Sequence, residues 1–241
     1  MSPALKLVLA PLLAAQAVAT RRRAPVLPEA EGPREGRVGR GAGALRLLIA
    51  GDSSAAGVGV AHQRDALAGH LTRTLHRLSG RSVQWSLHAR SGLTTQQVHA
   101  LLRSDAPPGA EVAVVVTGVN DVIDLVPPRR AVQHREALAD WLLGECGVKH
   151  VVFAPLPPVH RFPLLPQPLR RVMGDDARRH DDALAAWAAA RAGVSHLAIA
   201  FDLSPAAMAS DGFHPGAPVY RVCGETIAAH IADFVSKETS P

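Results

Sequence analysis

Apolar residues in this chain fall into short blocks, separated by longer stretches in which they recur every three or four positions. Leu45-Arg46-Leu47-Leu48-Ile49-Ala50, Val83-Gln84-Trp85-Ser86-Leu87-His88-Ala89 and Val112-Ala113-Val114-Val115-Val116-Thr117 have the length and bounding residues of buried strands. The pattern predicts strands over about 45–50, 83–89, 111–117, 149–154 and 196–200. It predicts helices over about 62–79, 94–103, 129–146, 168–192 and 216–236. Strand and helix alternate, which implies a doubly wound parallel sheet of about five strands with helices on both faces and right-handed crossovers. No internal repeat is visible. Six prolines between Pro155 and Pro168 exclude regular structure after the fourth strand. That segment is expected to wall or cover whatever lies at the strand ends.

The first 44 residues do not follow this alternation. Residues 3–19 are mostly apolar, interrupted by Lys6 and Pro11, and Arg21-Arg22-Arg23 follow closely. Ala17-Val18-Ala19 resembles a signal-peptidase site, yet little positive charge leads the run and the arginines trail it, the reverse of a simple signal peptide. The run is short for a membrane span, and the arginine triplet is expected to stay cytoplasmic. Residues 1–23 therefore read as an interfacial anchor, with arginines on anionic headgroups at the cytoplasmic face of a bacterial membrane. Two alternatives stand beside it: a helix packed on the domain's own surface, and a signal segment cleaved on the way to the periplasm or beyond. Residues 24–44, with Pro25, Pro28, Pro33, several glycines and mixed charge, have the composition of a linker, which starts the domain at 45 and runs it to 241.

At 241 residues and 47% apolar content the chain can bury one full core, and with only 4% aromatics alanine, leucine and valine must build it. The net charge of +5 is uneven. Residues 1–40 hold seven basic against three acidic residues, and the remainder holds 19 against 18. A basic arm on a near-neutral body argues for an anionic surface beside the arm and against a nucleic-acid groove across the domain. Cys146 and Cys223 do not make a disulfide framework, and no His/Cys cluster has zinc spacing, so neither metal nor organic cofactor is expected. Oligomeric state leaves no trace in the sequence.

The chemistry is concentrated in four short stretches. Gly51-Asp52-Ser53-Ser54 follows the first strand, and a serine at a parallel strand's C-terminal end sits where open α/β sheets bind ligands. Alone it would read as a helix N-cap, because a serine hydroxyl needs a base and an oxyanion site to react. Asp211-Gly212-Phe213-His214 supplies both a base and its orienter: an aspartate three residues before a histidine can take the imidazole Nδ1–H and leave Nε2 for the serine. Gly118-Val119-Asn120-Asp121 puts an amide side chain at another strand end, and Ser91-Gly92 offers an open backbone N–H at a third. Asp52 and Asp121 read as turn braces. His62, His70, His88, His160 and His180 lack a comparable partner.

This ordered set resembles the SGNH hydrolases, the GDSL-like lipase/esterase superfamily, over roughly residues 45–236. The resemblance implies a flavodoxin-like α/β fold, Ser53 as nucleophile, His214 as base and Asp211 as its orienter. It implies an oxyanion hole of the Ser53 N–H, the Gly92 N–H and the Asn120 amide. The position after the serine, often leucine in that family, is Ser54 here, a departure that bears on pocket shape. The expected activity is hydrolysis of a small-molecule carboxylic ester or thioester through an acyl-enzyme. An acyltransferase using the same triad, and a non-catalytic ligand-binding domain on the same fold, are the alternatives.

Overall fold

The structure is a computed structural model that describes residues 3–40, 43–105 and 107–239. Its elements, in chain order, are α1 (Pro3–Arg23), β1 (Glu35–Val38), β2 (Leu45–Gly51), α2 (Ser53–Ala56), α3 (Leu67–Ser79), β3 (Val83–Ala89), α4 (Thr95–Ser104), β4 (Val112–Val116), α5 (Val119–Ile123), α6 (Pro128–Gly144), β5 (His150–Phe153), α7 (Leu169–Ala189), β6 (Val194–His196) and α8 (Ala217–Thr239).

The sheet order is β1-β3-β2-β4-β5-β6, with β2 through β6 parallel and β1 antiparallel to β3. The chain leaves β2 for β3 on one side and then crosses back to β4 on the other. That reversal opens a crevice beyond the carboxyl ends of β2, β3 and β4, the place where doubly wound sheets bind ligands. Successive side chains of a strand point to opposite faces, and β2 shows the result. Leu48 and Ala50 enter a core with Leu102 of α4, Leu138 of α6 and Leu184 of α7. Leu47 and Ile49 enter a second core with Leu71 and Leu75 of α3 and Ile227 and Ile231 of α8.

The sheet therefore has six strands where the apolar pattern predicts about five, and within the expected linker, residues 30–38 belong to the domain. Ala30 is buried, Glu31 forms a bridge with His62, and β1 pairs along the edge of β3 from Glu35↔Ser86 to Val38↔Val83. The reason is that Glu-Gly-Arg-Val carries no apolar alternation. An edge strand held by backbone bonds, with mostly exposed side chains, gives periodicity nothing to report. β6 is likewise a short edge strand, and starts two residues before its expected position.

α1 packs on the domain. Gln16 Nε2 donates to the Gln167 carbonyl (2.7 Å), and Gln16 Oε1 accepts from the backbone N–H of Leu169 (3.1 Å), the first residue of α7. Leu13 packs against the first core. The opposite face of α1 is also apolar: Leu7, Val8, Leu12 and Val18 are exposed, as are Arg21, Arg22 and Arg23. Among the described residues no helix is long and apolar enough to cross a membrane.

Candidate active site

β2 ends in Gly51 beside β4, so close that a side chain there would collide with the Val116 carbonyl and Ala55. Asp52 then caps α2, its Oδ1 accepting the Ser54 backbone N–H (3.0 Å), and Ser53 opens the helix at the mouth of the crevice. The cap identity explains why Ser53 itself is not spent on capping.

His214 reaches Ser53 from 161 positions further along the chain. Its Nε2 lies 3.0 Å from Ser53 Oγ, and its Nδ1 lies 2.6 Å from Asp211 Oδ2. In the tautomer with the proton on Nδ1, the ring donates to Asp211 and accepts from the serine hydroxyl. The other oxygen, Asp211 Oδ1, takes the backbone N–H groups of Phe213 and His214 at 2.9 Å each, which closes the loop into a rigid turn. Burial works to raise the Asp211 carboxyl, but the bonds from the imidazole and from these two N–H groups outweigh it and hold it below the usual carboxylate value. Phe213 packs edge-on against both the His214 ring and Phe162 (5.2 and 5.1 Å between centroids). The Leu164 N–H donates to the Gly212 carbonyl (3.1 Å). The proline-rich segment thus walls the site and braces the histidine loop.

Asn120 lies in the short α5 after β4 and lines the same cavity as Ser53 and His214. Its Nδ2 donates to the Leu93 carbonyl (3.1 Å) and to Asp52 Oδ2 (3.3 Å). Gly118 turns the chain into α5 with φ +132°, a conformation other residues rarely adopt, and a side chain there would strike Arg135 and Leu156. Gly92 sits exposed in the loop between β3 and α4, at φ +82°, outside the residues that line the Ser53 cavity. The structure thus brings Ser53, Asp211, His214 and Asn120 together, and places Gly92 on the neighbouring loop at the same sheet end.

The braces behind these residues are mostly invisible in the sequence. Asp121, fully buried, accepts the Thr95 backbone N–H (3.1 Å) and the Thr95 hydroxyl (2.5 Å), and so ties the Asn120 loop to the first turn of α4. The fully buried Arg135 of α6 approaches Asp121 Oδ2 (3.5 Å) and donates toward the Thr117 carbonyl (3.4 Å). Burial pulls the Arg135 guanidinium down from its usual value, and Asp121 and Asp181 oppose that. Asp52 experiences the reverse. Burial is the main cause that lifts its carboxyl to about 6, helped by the charge of Asp121 and opposed by the Ser54 N–H, His214 and Asn120. His196 pairs with Asp181 (2.8 Å), which also takes the Leu156 N–H (2.8 Å), bolting β6 and α7 to the loop after β5.

The cavity at Ser53 measures ≈ 30 Å³. An apolar cavity of ≈ 60 Å³, lined by Val116, Ile199, Val219 and Cys223, adjoins it through Ser54 and Pro215. Burial pushes the Cys223 thiol up to about 12, so it lines that space as a neutral group. Two larger clefts, ≈ 460 and ≈ 410 Å³, contain none of Ser53, Asp211 and His214. Among the described residues no group of three or more His, Cys, Asp or Glu side chains is placed to hold a metal ion.

Known proteins resemble this chain in sequence and in fold. Residues 49–222 match the GDSL-like lipase/acylhydrolase family. A GDSL-like esterase of Mycobacterium tuberculosis is 28% identical over 204 residues, covering 80% of this chain, which spans 64% of that relative's length. The fold is shared with the lipase Lip_vut3 from a goat rumen metagenome (TM-score 0.60, 18% identity, 77% of this chain and 96% of that one). It is also shared with a lipase/acylhydrolase from Enterococcus faecalis (TM-score 0.58, 18% identity, 79% and 96%).

Proposed function

Because the chain belongs to the GDSL-like lipase/acylhydrolase family, we propose that it cleaves short-chain carboxylic esters or thioesters through an acyl-enzyme on Ser53. The observation that carries this reading is the relay Ser53 Oγ···Nε2 His214 Nδ1···Oδ2 Asp211, at 3.0 and 2.6 Å. Family membership supports ester hydrolysis; the serine mechanism rests on this relay.

His214 takes the Ser53 proton as Oγ attacks the carbonyl carbon, and Asp211 holds the imidazole and balances the cation that forms. The carbonyl oxygen becomes an oxyanion, which the Ser53 N–H, the Gly92 N–H and Asn120 Nδ2 meet. Asn120 already donates twice, and its longer bond, 3.3 Å to Asp52, is the one the oxyanion competes for. His214 returns its proton to the leaving alcohol. Water, deprotonated by the same Nε2, then attacks the acyl-enzyme and frees the acid and Ser53. Each oxyanion donor is worth about 3 kcal/mol in the transition state.

The size of the cavities favours small acyl groups. At about 10–15 Å³ for each water-sized group, the ≈ 30 Å³ at Ser53 holds two or so, and the adjoining apolar ≈ 60 Å³ about five. Two measurements test the reading. A fluorophosphonate should label the wild-type chain and leave Ser53→Ala unlabelled. Turnover of p-nitrophenyl esters should peak at acetate to hexanoate and fall steeply by dodecanoate. Absence of labelling in the wild type would sink the serine mechanism and leave a binding domain. Ester product appearing only when an acceptor alcohol is present would mean acyl transfer.

A further inference from the structure

The loop carrying Gly92 has little to rest on at Gly92 itself: the residue is exposed, and a side chain there would meet nothing within 4 Å. An oxyanion donor on such a loop must be aimed from elsewhere. On its far side the loop is pinned by the capping box of Thr94 and Gln97 and by the Thr95–Asp121 bonds. On its near side it is pinned by residues that precede the whole family-matched region. Glu29 Oε1 accepts both the backbone N–H (2.7 Å) and the hydroxyl (2.8 Å) of Ser91, the residue directly before Gly92. Glu29 Oε2 accepts from Arg34 Nη2 (2.5 Å), and Arg34 Nη1 donates to the Ala89 carbonyl (2.6 Å).

The same segment is sewn to the nucleophile. The Ala30 N–H donates to the carbonyl of Ala56, the last residue of α2 (3.2 Å). Gln63, fully buried at its amide, donates from Nε2 to both the Ala30 (3.2 Å) and Ala56 (2.9 Å) carbonyls. Residues 29–34 therefore bridge the helix that starts at Ser53 and the loop that holds Gly92.

We propose that Glu29, held by Arg34, is a positioning residue: it sets the Ser91–Gly92 peptide so that the Gly92 N–H and the Ser53 N–H converge on one oxyanion. This rests on the esterase reading above. The alternative is that the Glu29–Arg34 pair merely stabilises the fold. Both side chains are about one-third exposed (32% and 38%), and ion pairs that solvated contribute little to stability. Aim is another matter, because a displacement of about 1 Å in a catalytic group can cost roughly 100-fold in rate.

The test uses the full chain. Glu29→Ala should lower kcat on p-nitrophenyl acetate by about 10- to 100-fold, below the 10²–10³ of losing a donor outright. KM should stay within about twofold, because the aim matters only as the oxyanion forms. A trifluoromethyl ketone, which forms a tetrahedral anion on a serine, should weaken by the same factor as kcat/KM. Thermal midpoint should drop by less than about 3 °C. Glu29→Gln retains an oxygen for Ser91 and should recover most of the rate; it also serves if Glu29→Ala does not fold. Arg179→Ala, which breaks an ion pair with Asp176 on the surface of α7, is the control and should change nothing. If the wild type turns over esters but Glu29→Ala and Glu29→Gln both keep wild-type kcat, the positioning role is wrong and the esterase reading stands. Loss of rate matched by loss of folded, fluorophosphonate-titratable protein, with no change in kcat per labelled site, would also overturn it. A wild type that neither labels nor turns over removes both.

Discussion

At the scale of single residues, the site holds two carboxylates that burial treats in opposite ways. Asp211 is fully paired by three donors and kept low; its contribution to stability is present above the ordinary carboxylate value and is lost as pH falls through its lowered one. Asp52 is raised to about 6 from 3.8. The folded chain then binds the proton more tightly than the unfolded chain, so this group costs nothing below about pH 4, and its penalty grows between about pH 4 and 6 and levels off above. Two units correspond to roughly 3 kcal/mol at neutral pH. Asn at position 52 can still cap α2, so Asp52→Asn should gain stability over the wild type progressively between pH 4 and 7, read as a rising difference in urea midpoint. A pH-independent difference would show that Asp52 is not strained in the fold. On the proposed mechanism the same substitution should slow turnover, because the Asp52 carboxylate would face the His214 imidazolium and helps to hold Asn120. A costly carboxylate kept beside Ser53 fits the general exchange of stability for activity at functional sites.

At the scale of elements, Arg135 gives the sharpest expectation. It lies on α6 and is fully buried, with Nε and Nη1 making no hydrogen bond to other protein atoms. Arg135→Met should destabilise by about 3–5 kcal/mol, since Asp121 is left buried without its cation. Adding Asp121→Asn should recover part of that loss; equal or greater destabilisation in the double variant would mean that the pair is not coupled. None of this is legible from sequence. An arginine between Gln133-His134 and Glu136 reads as the wet face of an amphipathic helix, and only the packed structure turns it inward under Gly118. The convergence of Ser53, Asp211 and His214 is legible for the opposite reason: each stands in a short motif beside a strand end or a terminal helix, where the parallel topology brings them together. β2, β3 and β4 are legible almost to the residue because their apolar runs are buried on both faces. β1 and residues 29–34 are not, because their work is done by backbone groups and by one partly exposed carboxylate, which leave no hydrophobic signature.

At the scale of the whole molecule, α1 is apolar on two sides, and only one of them is used by the domain. Leu13 and Gln16 face α7, whereas Leu7, Val8, Leu12 and Val18 face out above Arg21, Arg22 and Arg23. Such a face suits the boundary of an anionic bilayer, at about 1 kcal/mol for each arginine near the surface. Removing residues 1–23 should release the chain from phosphatidylserine vesicles and leave turnover of a soluble ester intact, and high salt should weaken binding of the full chain. Equal vesicle binding by the truncated chain would assign the contact elsewhere. Extending the cut through residue 34 should, in contrast, lower turnover, because Glu29 and Arg34 go with it. Ser53 and His214 are joined by a hydrogen bond across 161 positions, and Glu29 adds a tie from before β1. Such distant pairings form late, after the closure of long loops, and during synthesis the early strands emerge first. A nascent chain therefore carries its serine for most of its length with nothing to deprotonate it. On the proposed mechanism, hydrolytic competence would arrive only when the final loop docks, so the order of synthesis itself would keep the serine silent until the chain is complete.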